Sequence, residues 1–219
     1  MSQSSNDVIP TAINLAAALE IKNRVLPALS GLRTVISEKA EQHAHVLKTG
    51  RTHLMDALPI RLKDEMDGWA SQIEDCRSRL TQTLDRLKRL PLGGTAVGTG
   101  VNCPAGFSEK AVSELSRISG IELSVSDSFF KGISSIETPL EASSNLKSCA
   151  CVLMKIANDL RWMNSGPISG LREIMLPALQ PGSSIMVNKI NPVIPEAVCM
   201  AAAQVIGNDT IITIGAQAG

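Results

Sequence analysis

Two hydroxyls, a cation, an amide and a carboxylate fall within one short stretch: Ser183, Ser184, Lys189, Asn191 and Glu196. Together they could hold an anion and move a proton beside it. Gly182-Ser183-Ser184 reads as a flexible turn, and Pro192 blocks helical continuation backwards, while Val193–Ile206 reads as a helix. Lys189 and Asn191 therefore lie in a loop that feeds a helix N-terminus, where free backbone N–H groups and the helix dipole favour negative charge. Glu196, in the first helical turn, suits that dipole, and a carboxylate there could also orient a histidine and raise its basicity. No Gly-x-Ser-x-Gly elbow surrounds Ser183, so nothing supports a hydrolase triad.

Three further stretches hold polar groups of interest. His53, in Gly50-Arg51-Thr52-His53, is either a solvated or capping histidine or a proton-transfer group, since imidazole titrates near neutrality. His43 and His45 fall at a helix end, where a structural role suffices. Ser4-Ser5-Asn6-Asp7 ahead of Pro10 reads as a helix cap. The glycine-rich stretch Pro91–Pro104 lacks the Lys-Ser/Thr of a P-loop and follows no predicted strand, so it is read as a loop and not as a phosphate cradle.

Helices must position these groups. A first helix, with Pro10 early in it, runs to about Val25; Pro27 interrupts, and the pattern resumes to about Leu47. Lys48–Pro59 is expected to be loop. Trp69, Ile73, Cys76, Leu80, Leu84 and Leu87 recur every three or four residues, which predicts a long helix over roughly Leu62–Leu90 with one apolar face. A short helix is expected over Phe107–Ile118, and a long one over Pro139–Trp162 with Leu146, Leu153, Ile156 and Leu160 facing inward. Gly166–Gly182 is expected to be loop. No convincing β pattern emerges, although Thr210–Ile214 is β-branched and ambiguous, and an extension of the last helix toward Ile214 stays open.

Composition agrees with that reading. Hydrophobic residues make up 44% of 219 residues, aromatics only 2%, and tyrosine is absent. A core of Leu, Ile, Val, Ala and Met suits helix-on-helix packing. The expectation is an elongated all-α bundle forming one domain over residues 1–219. Lys plus Arg and Asp plus Glu both number 21, so net charge gives no reason to expect nucleic acid or an anionic membrane as partner. Five cysteines, an odd number without a CxxC pair, point to free thiols in a reducing cytoplasm and not to zinc. Cys149 and Cys151 should face different sides of a helix. The polar Met1–Asp7 has no signal-peptide core. The apolar run Val193–Ile206, broken by Pro195, Glu196 and Gln204, reads as too short and too polar to span a bilayer.

Four separated segments, in order, resemble the fumarase/aspartase superfamily. Ser2–Asp7 with Pro10-Thr11 resembles SQSSND..PT, and Gly50–Ala57 resembles GRTH..DA. Leu92–Gly100 resembles LGGTAVGTG. Leu176–Gly182 leads into a stretch similar to the signature loop GSSxMPxKxNP, and Gly207-Asn208-Asp209-Thr210 follows. Within the superfamily the chain is most similar to class II fumarases. Aspartases usually have Gln where His53 stands, so His53 favours adding water to a double bond over adding ammonia.

The resemblance implies a mechanism and an assembly. Ser183 would be the base that removes a proton beside a carboxylate, giving an aci-carboxylate. Lys189 and Asn191 would bind substrate carboxylate. Thr52, Asn6, Ser4 and Ser5 would contact substrate, and His53 paired with Glu196 would hold the water that becomes the malate hydroxyl. The substrate would be fumarate or malate, with no metal or organic cofactor. The expected partner is the chain itself, as a homotetramer with a twenty-helix core and sites shared between subunits. The chain corresponds to the central helical domain, without the family's N-terminal and C-terminal domains. Two alternatives stay open: a non-catalytic helical oligomerisation fragment, and an aspartase-like C4-dicarboxylate lyase. The chain departs from the family at Val187-Asn188, where Pro-Gly is usual, and at Lys63-Asp64-Glu65-Met66, which replaces GQEF.

Overall fold

A computed structural model of the chain describes residues 3–219. Met1, and Ser2 at the start of the Ser2–Asp7 motif, lie outside the described residues. Among the described residues seven α-helices dominate: α1 (Ser5–Glu20), α2 (Leu26–Gln42), α3 (Leu62–Leu87), α4 (Phe107–Ser119), α5 (Phe129–Ser134), α6 (Glu137–Met163) and α7 (Val193–Ala218). Four short strands accompany them: β1 (Leu47–Thr52), β2 (Met55–Arg61), β3 (Arg89–Leu90) and β4 (Ser124–Val125). The helical class read from the sequence is the class the chain adopts.

Local chemistry explains the boundaries. Ser4 caps α1: its hydroxyl accepts from Asn6 N, and Asp7 accepts in return from Ser4 N, a reciprocal capping box. One π-helical turn, Ile21–Val25, joins α1 to α2. The interruption expected at Pro27 lies just before it. Proline offers no N–H to the carbonyl four residues back and crowds it, and the wider turn absorbs the mismatch without ending the helix.

Three expectations need correction. Lys48–Pro59 is not loop: β1 and β2 form an antiparallel hairpin over most of it. The last helix, expected near Val193–Ile206 with an extension toward Ile214 left open, runs further, to Ala218, so the ambiguous Thr210–Ile214 is helical. At 26 residues it is long and apolar enough to cross a membrane by length and composition. On α6, Ile156 is buried as expected, but Leu146, Leu153 and Leu160 are only half-buried. The fully covered line runs through Ala142, Cys149, Ile156 and Met163, at intervals of seven. Ala142 and Cys149, the small side chains of that line, let neighbouring backbones approach, while the leucines lie on its flanks.

The apolar face read on α3 is buried throughout: Trp69, Ile73, Cys76, Leu80, Leu84 and Leu87 are all at most 6% exposed. Each such side chain contributes roughly 1.5–3 kcal/mol of transfer free energy. None of the five cysteines is in a disulfide; Cys149 is buried and Cys151 exposed, as their spacing requires.

The chain forms two compact units, one from Met1–Gly31, Glu74–Leu146 and Asp209–Gly219, the other from Leu32–Ile73 and Lys147–Asn208. The core of the first gathers Leu87, Leu90, Leu92, Val112 and Ile121. There β3 and β4 pair in parallel, and Asn14 Nδ2 donates to Arg89 O at 3.4 Å, tying α1 to β3. Several of its buried polar groups are matched: Ser143 Oγ donates to Asp209 Oδ1 at 2.8 Å, and Asn145 Nδ2 to Thr83 Oγ1 at 2.9 Å, whereas the buried Thr11 and Thr95 hydroxyls have no partner among the described residues. The second unit packs Ala40, Leu62, Trp69, Ala70, Ile156, Ala157 and Met163. It carries the β1–β2 hairpin and the loops after α6.

Candidate active site

Thr52 and His53 stand at the tip of the β1–β2 hairpin. Thr52 pairs with Met55, leaving His53 and Leu54 as a two-residue turn with φ of 55° and 63°. Right-handed strand twist favours positive φ at both turn positions, but Asn-Gly normally fills them. A histidine and a leucine there store strain, and such strain gathers at functional sites. The register is irregular between Thr49 and Arg51. Gly50 sits in the irregularity, where an added Cβ would lie 2.6 Å from Leu58 O, so only glycine fits.

Little apolar burial anchors this hairpin; charge does. Arg51 meets Glu173 with two N–H···O contacts, 2.7 and 2.8 Å. Lys48 lies between Glu65 at 2.5 Å and Glu173 at 3.1 Å. The bond to Arg51 holds the Glu173 carboxyl below the usual carboxylate range; partial burial opposes this and Lys48 adds to it. The same bond raises the Arg51 guanidinium. Glu173 is placed by the end of α6, since Glu173 N donates to Met163 O at 2.8 Å. Sequence reasoning missed Lys48 and Glu173. Arg51 and Glu173 are 122 positions apart, and neither lies in a local pattern that marks a pair. Thr52 and His53 line a cavity of about 640 Å³ together with Lys48, Arg51, Trp162 and Leu171.

The Ser183 loop is a closed structure. Ser183 N donates to Lys189 O at 3.1 Å, and Lys189 N to Met186 O at 3.3 Å. A Cβ on Gly182 would lie 2.0 Å from Lys189 O, so glycine is required at this neck. Asn188 has φ of 67°. This is the position where Pro-Gly is replaced by Val187-Asn188, and Asn is the residue after glycine that best tolerates the left-handed region. The Ser183 hydroxyl accepts from Ile185 N at 3.3 Å and from Met186 N at 3.4 Å. Two backbone dipoles thus point at Oγ, an arrangement that favours negative charge on it. Asn191 O accepts from Val193 N at 2.9 Å, and Glu196 N donates to Pro192 O as α7 begins. Lys189 is exposed; Ser183, Asn191 and Glu196 are half-buried.

In the first unit, Ser4 caps α1 and Ser5 and Asn6 are exposed in its opening turn. Asn6 Nδ2 donates to Ala96 O at 2.7 Å, within the glycine-rich loop. The buried Asp7 accepts from Gly93 N and Thr95 N, each at 3.0 Å.

One chain therefore gathers Thr52 with His53, and Ser183 with Lys189, Asn191 and Glu196. It does not join the two sets by hydrogen bonds. Among the described residues His53 and Glu196 do not bond each other, and neither Ser183, Lys189, Asn191 nor Glu196 lines the cavity beside His53.

A long-helix bundle with a closed Gly-Ser-Ser loop feeding its last helix defines a class of helical lyase. A family profile described as Lyase matches residues 1–207, and the chain belongs to that family. It is 52% identical over 219 residues to a fumarate hydratase class II of Xylella fastidiosa, covering all of this chain and 46% of that protein. It is 54% identical over 218 residues to a fumarate hydratase class II 2 of Pseudomonas aeruginosa, covering 99% and 47%. The chain thus spans about half the length of these curated relatives. The crystal structure of class II fumarase from Schistosoma mansoni aligns with a TM-score of 0.96 at 35% identity, over 100% of this chain and 49% of that one. A fumarate lyase:delta crystallin from Brucella melitensis, crystallised bound to cobalt, aligns at 0.95 with 46% identity, over 100% and 47%.

Proposed function

We propose that this chain carries the proton-transfer and substrate-binding groups of a fumarate hydratase, adding water reversibly to fumarate to give malate. The observation that carries the reading is the Ser183 loop, closed at Gly182 and Lys189, with two backbone N–H groups aimed at Ser183 Oγ. In the malate-to-fumarate direction, Ser183 as alkoxide takes the proton from the carbon beside a carboxylate. The electron pair of that C–H bond moves into the carboxylate, giving the aci-carboxylate. Lys189, Asn191 and the loop's N–H groups stabilise the added charge. Collapse forms the double bond and expels the neighbouring hydroxyl, which leaves as water after taking a proton from His53. Glu196 orients that imidazole. Thr52, Asn6, Ser5 and Ser4 bind the rest of the substrate.

Since among the described residues no hydrogen bond joins His53 to Glu196 or Ser183 and neither lines the cavity beside it, the reading includes a complete site assembled from several copies, as a homotetramer. An apolar α7 with Met200, Ile211 and Ile214 exposed supports self-association. A cytoplasmic setting follows from free thiols and this chemistry.

Loss of fumarate absorbance by the purified chain, with Ser183→Ala in parallel, tests the reading. Turnover that vanishes in Ser183→Ala is expected. A folded, oligomeric parent without turnover would instead favour a non-catalytic assembly fragment. Ammonia-dependent conversion, enhanced in His53→Gln, would favour the aspartase-like reading.

A further inference from the structure

Among the described residues, the glycine-rich loop Leu92–Gly100 hydrogen-bonds one side chain of the mechanism above. Ala96 O accepts from the Asn6 side-chain amide at 2.7 Å. The carbonyl can only accept, so it fixes which end of the amide is nitrogen. Among the described residues the second N–H and Oδ1 of Asn6 have no partner, which leaves them for a ligand.

Ala96 is held by an unusual device. Thr95, its neighbour, has φ of 58°, and Gly93 and Gly98 have φ of 106° and 93°. A left-handed threonine is costly and persists only where the surroundings over-determine it. Asp7 does so. It is fully buried, and its carboxylate takes N–H groups from Gly93 and Thr95 on one oxygen and from Ser4 on the other, all at 3.0 Å. Charge-assisted bonds of this kind are roughly twice as strong as neutral ones. Packing closes the remaining freedom: a Cβ at Gly93 would overlap Ser108 Oγ at 1.8 Å, and one at Gly94 would meet Phe129 Cβ at 2.7 Å.

We infer that Asp7 is a positioning residue. Its buried carboxylate locks the strained Gly93–Thr95 turn so that Ala96 O holds the Asn6 amide in one orientation, ready for a substrate carboxylate or hydroxyl. The glycine-rich loop then serves as a mould for Asn6 and binds no phosphate of its own. The functional half of this inference rests on the hydratase reading; the structural half does not.

The experiment follows the Asn6 side-chain amide by NMR in the full ¹⁵N-labelled chain, assigned with Asn6→Ser, alongside fumarate titration. In the parent the amide should be as rigid as ordered backbone, with an order parameter near 0.85. In Asp7→Asn, which cannot accept all three N–H groups, it should fall below about 0.6, and fumarate affinity should weaken about tenfold. A mobile Asn6 amide in the parent overturns the inference. So does an equally rigid amide in a folded Asp7→Asn. Should Asp7→Asn fail to fold, Gly98→Ala disturbs the loop from its far side, because its Cβ would lie 2.9 Å from the Phe130 ring. It should loosen the Asn6 amide while leaving α1 helical, and an unchanged amide there also overturns the inference. An amide rigid in the parent and loosened in Asp7→Asn, with no fumarate binding by the parent, supports the positioning and overturns the hydratase reading.

Discussion

Arg51 and Glu173 meet through two N–H···O contacts of 2.7 and 2.8 Å, and the same carboxylate lies 3.1 Å from Lys48. Residues three apart on a regular strand face opposite sides. Lys48 and Arg51 reach one carboxylate because the ladder is irregular between Thr49 and Arg51, where Gly50 allows the close approach. The glycine before Arg51-Thr52-His53 is thus what aims both cations at Glu173, and Glu173 is what ties the histidine-bearing hairpin to the end of α6.

Removing Glu173 should therefore cost more than removing Arg51. Glu173→Gln leaves two cations, both under one-fifth exposed, facing an uncharged amide. The expected loss is about 2–3 kcal/mol. Arg51→Gln leaves Glu173 with Lys48 and should cost about half as much. Urea unfolding, with hydrogen exchange in β1 to locate the loosening, measures both. Equal losses would mean that the carboxylate is not shared.

The same carboxylate sets an acid limit. Bonding to Arg51, and secondarily to Lys48, depresses the folded-state pKa of Glu173. A depressed carboxyl contributes stability that is complete above its unfolded value, about 4.3, and is lost as pH falls through its folded value. Glu141, bonded to Arg86, acts in the same direction but is more exposed. The urea midpoints of parent and Glu173→Gln should differ most above about pH 5 and converge as pH falls through the lowered folded-state value. A gap that stays constant through this window would assign the loss to packing.

Periodicity made the helices legible. On α3 all six residues of the apolar stripe are buried, because a long helix between two polar flanks shows its period without ambiguity. The hairpin was hidden for the opposite reason. Leu47–Arg61 contains Gly50, Asp56 and Pro59, both faces are largely exposed, and charge rather than alternating apolar side chains anchors it. The end of α7 was legible only as an open alternative toward Ile214, because β-branched Thr210, Ile211, Ile212, Thr213 and Ile214 carry a strand preference that tertiary context overrides. Of the candidate site, residues close in sequence were readable as groups, Ser183 with Lys189 and Asn191, and Thr52 with His53. The partners that hold them, Glu173 for the hairpin and Asp7 with Ala96 for Asn6, depend on contacts between distant segments, which no local pattern records.

Strain at the hairpin tip can be separated from chemistry. Leu54 has φ of 63° and a largely exposed side chain, so leucine gains little there. Leu54→Gly relieves about 1–2 kcal/mol of left-handed strain against about 0.5–1 kcal/mol of added unfolded-state entropy. The net expectation is a stabilisation of up to about 1 kcal/mol, with turnover kept if His53 alone carries the function. A lower thermal midpoint in Leu54→Gly would show that the leucine side chain makes a contact the tip depends on.

The Ser183 loop gives the converse case. Gly182→Ala forces a methyl to within 2.0 Å of Lys189 O and must open the neck. The loop is mostly exposed, so the melting temperature should barely move while turnover falls by about a hundredfold or more, as positioning errors of this size do. Asn188→Gly, at φ 67°, should preserve turnover, whereas Asn188→Val, β-branched in a left-handed position, should lose it. Full turnover in Gly182→Ala would separate the loop's closure from the chemistry.

Self-association is the property on which the proposed shared site would depend. α7 exposes Ile194, Met200, Ile211 and Ile214, each more than half accessible within one chain. Charged and polar groups interrupt it only sparsely, and Asp209 is already bonded to Ser143. An apolar helix left this open makes a monomer unfavourable, because water contacts a continuous apolar surface. Light scattering should give a tetramer at micromolar protein. Ile211→Glu and Ile214→Glu place a carboxylate in the would-be interface and should shift the population to smaller species. If one site draws on several chains, turnover should fall in step with tetramer content as protein is diluted. Mixing inactive Ser183→Ala with inactive His53→Ala should then restore part of it, since some sites would combine an intact Ser183 from one copy with an intact His53 from another. A folded monomer with full turnover would place the whole site within one chain.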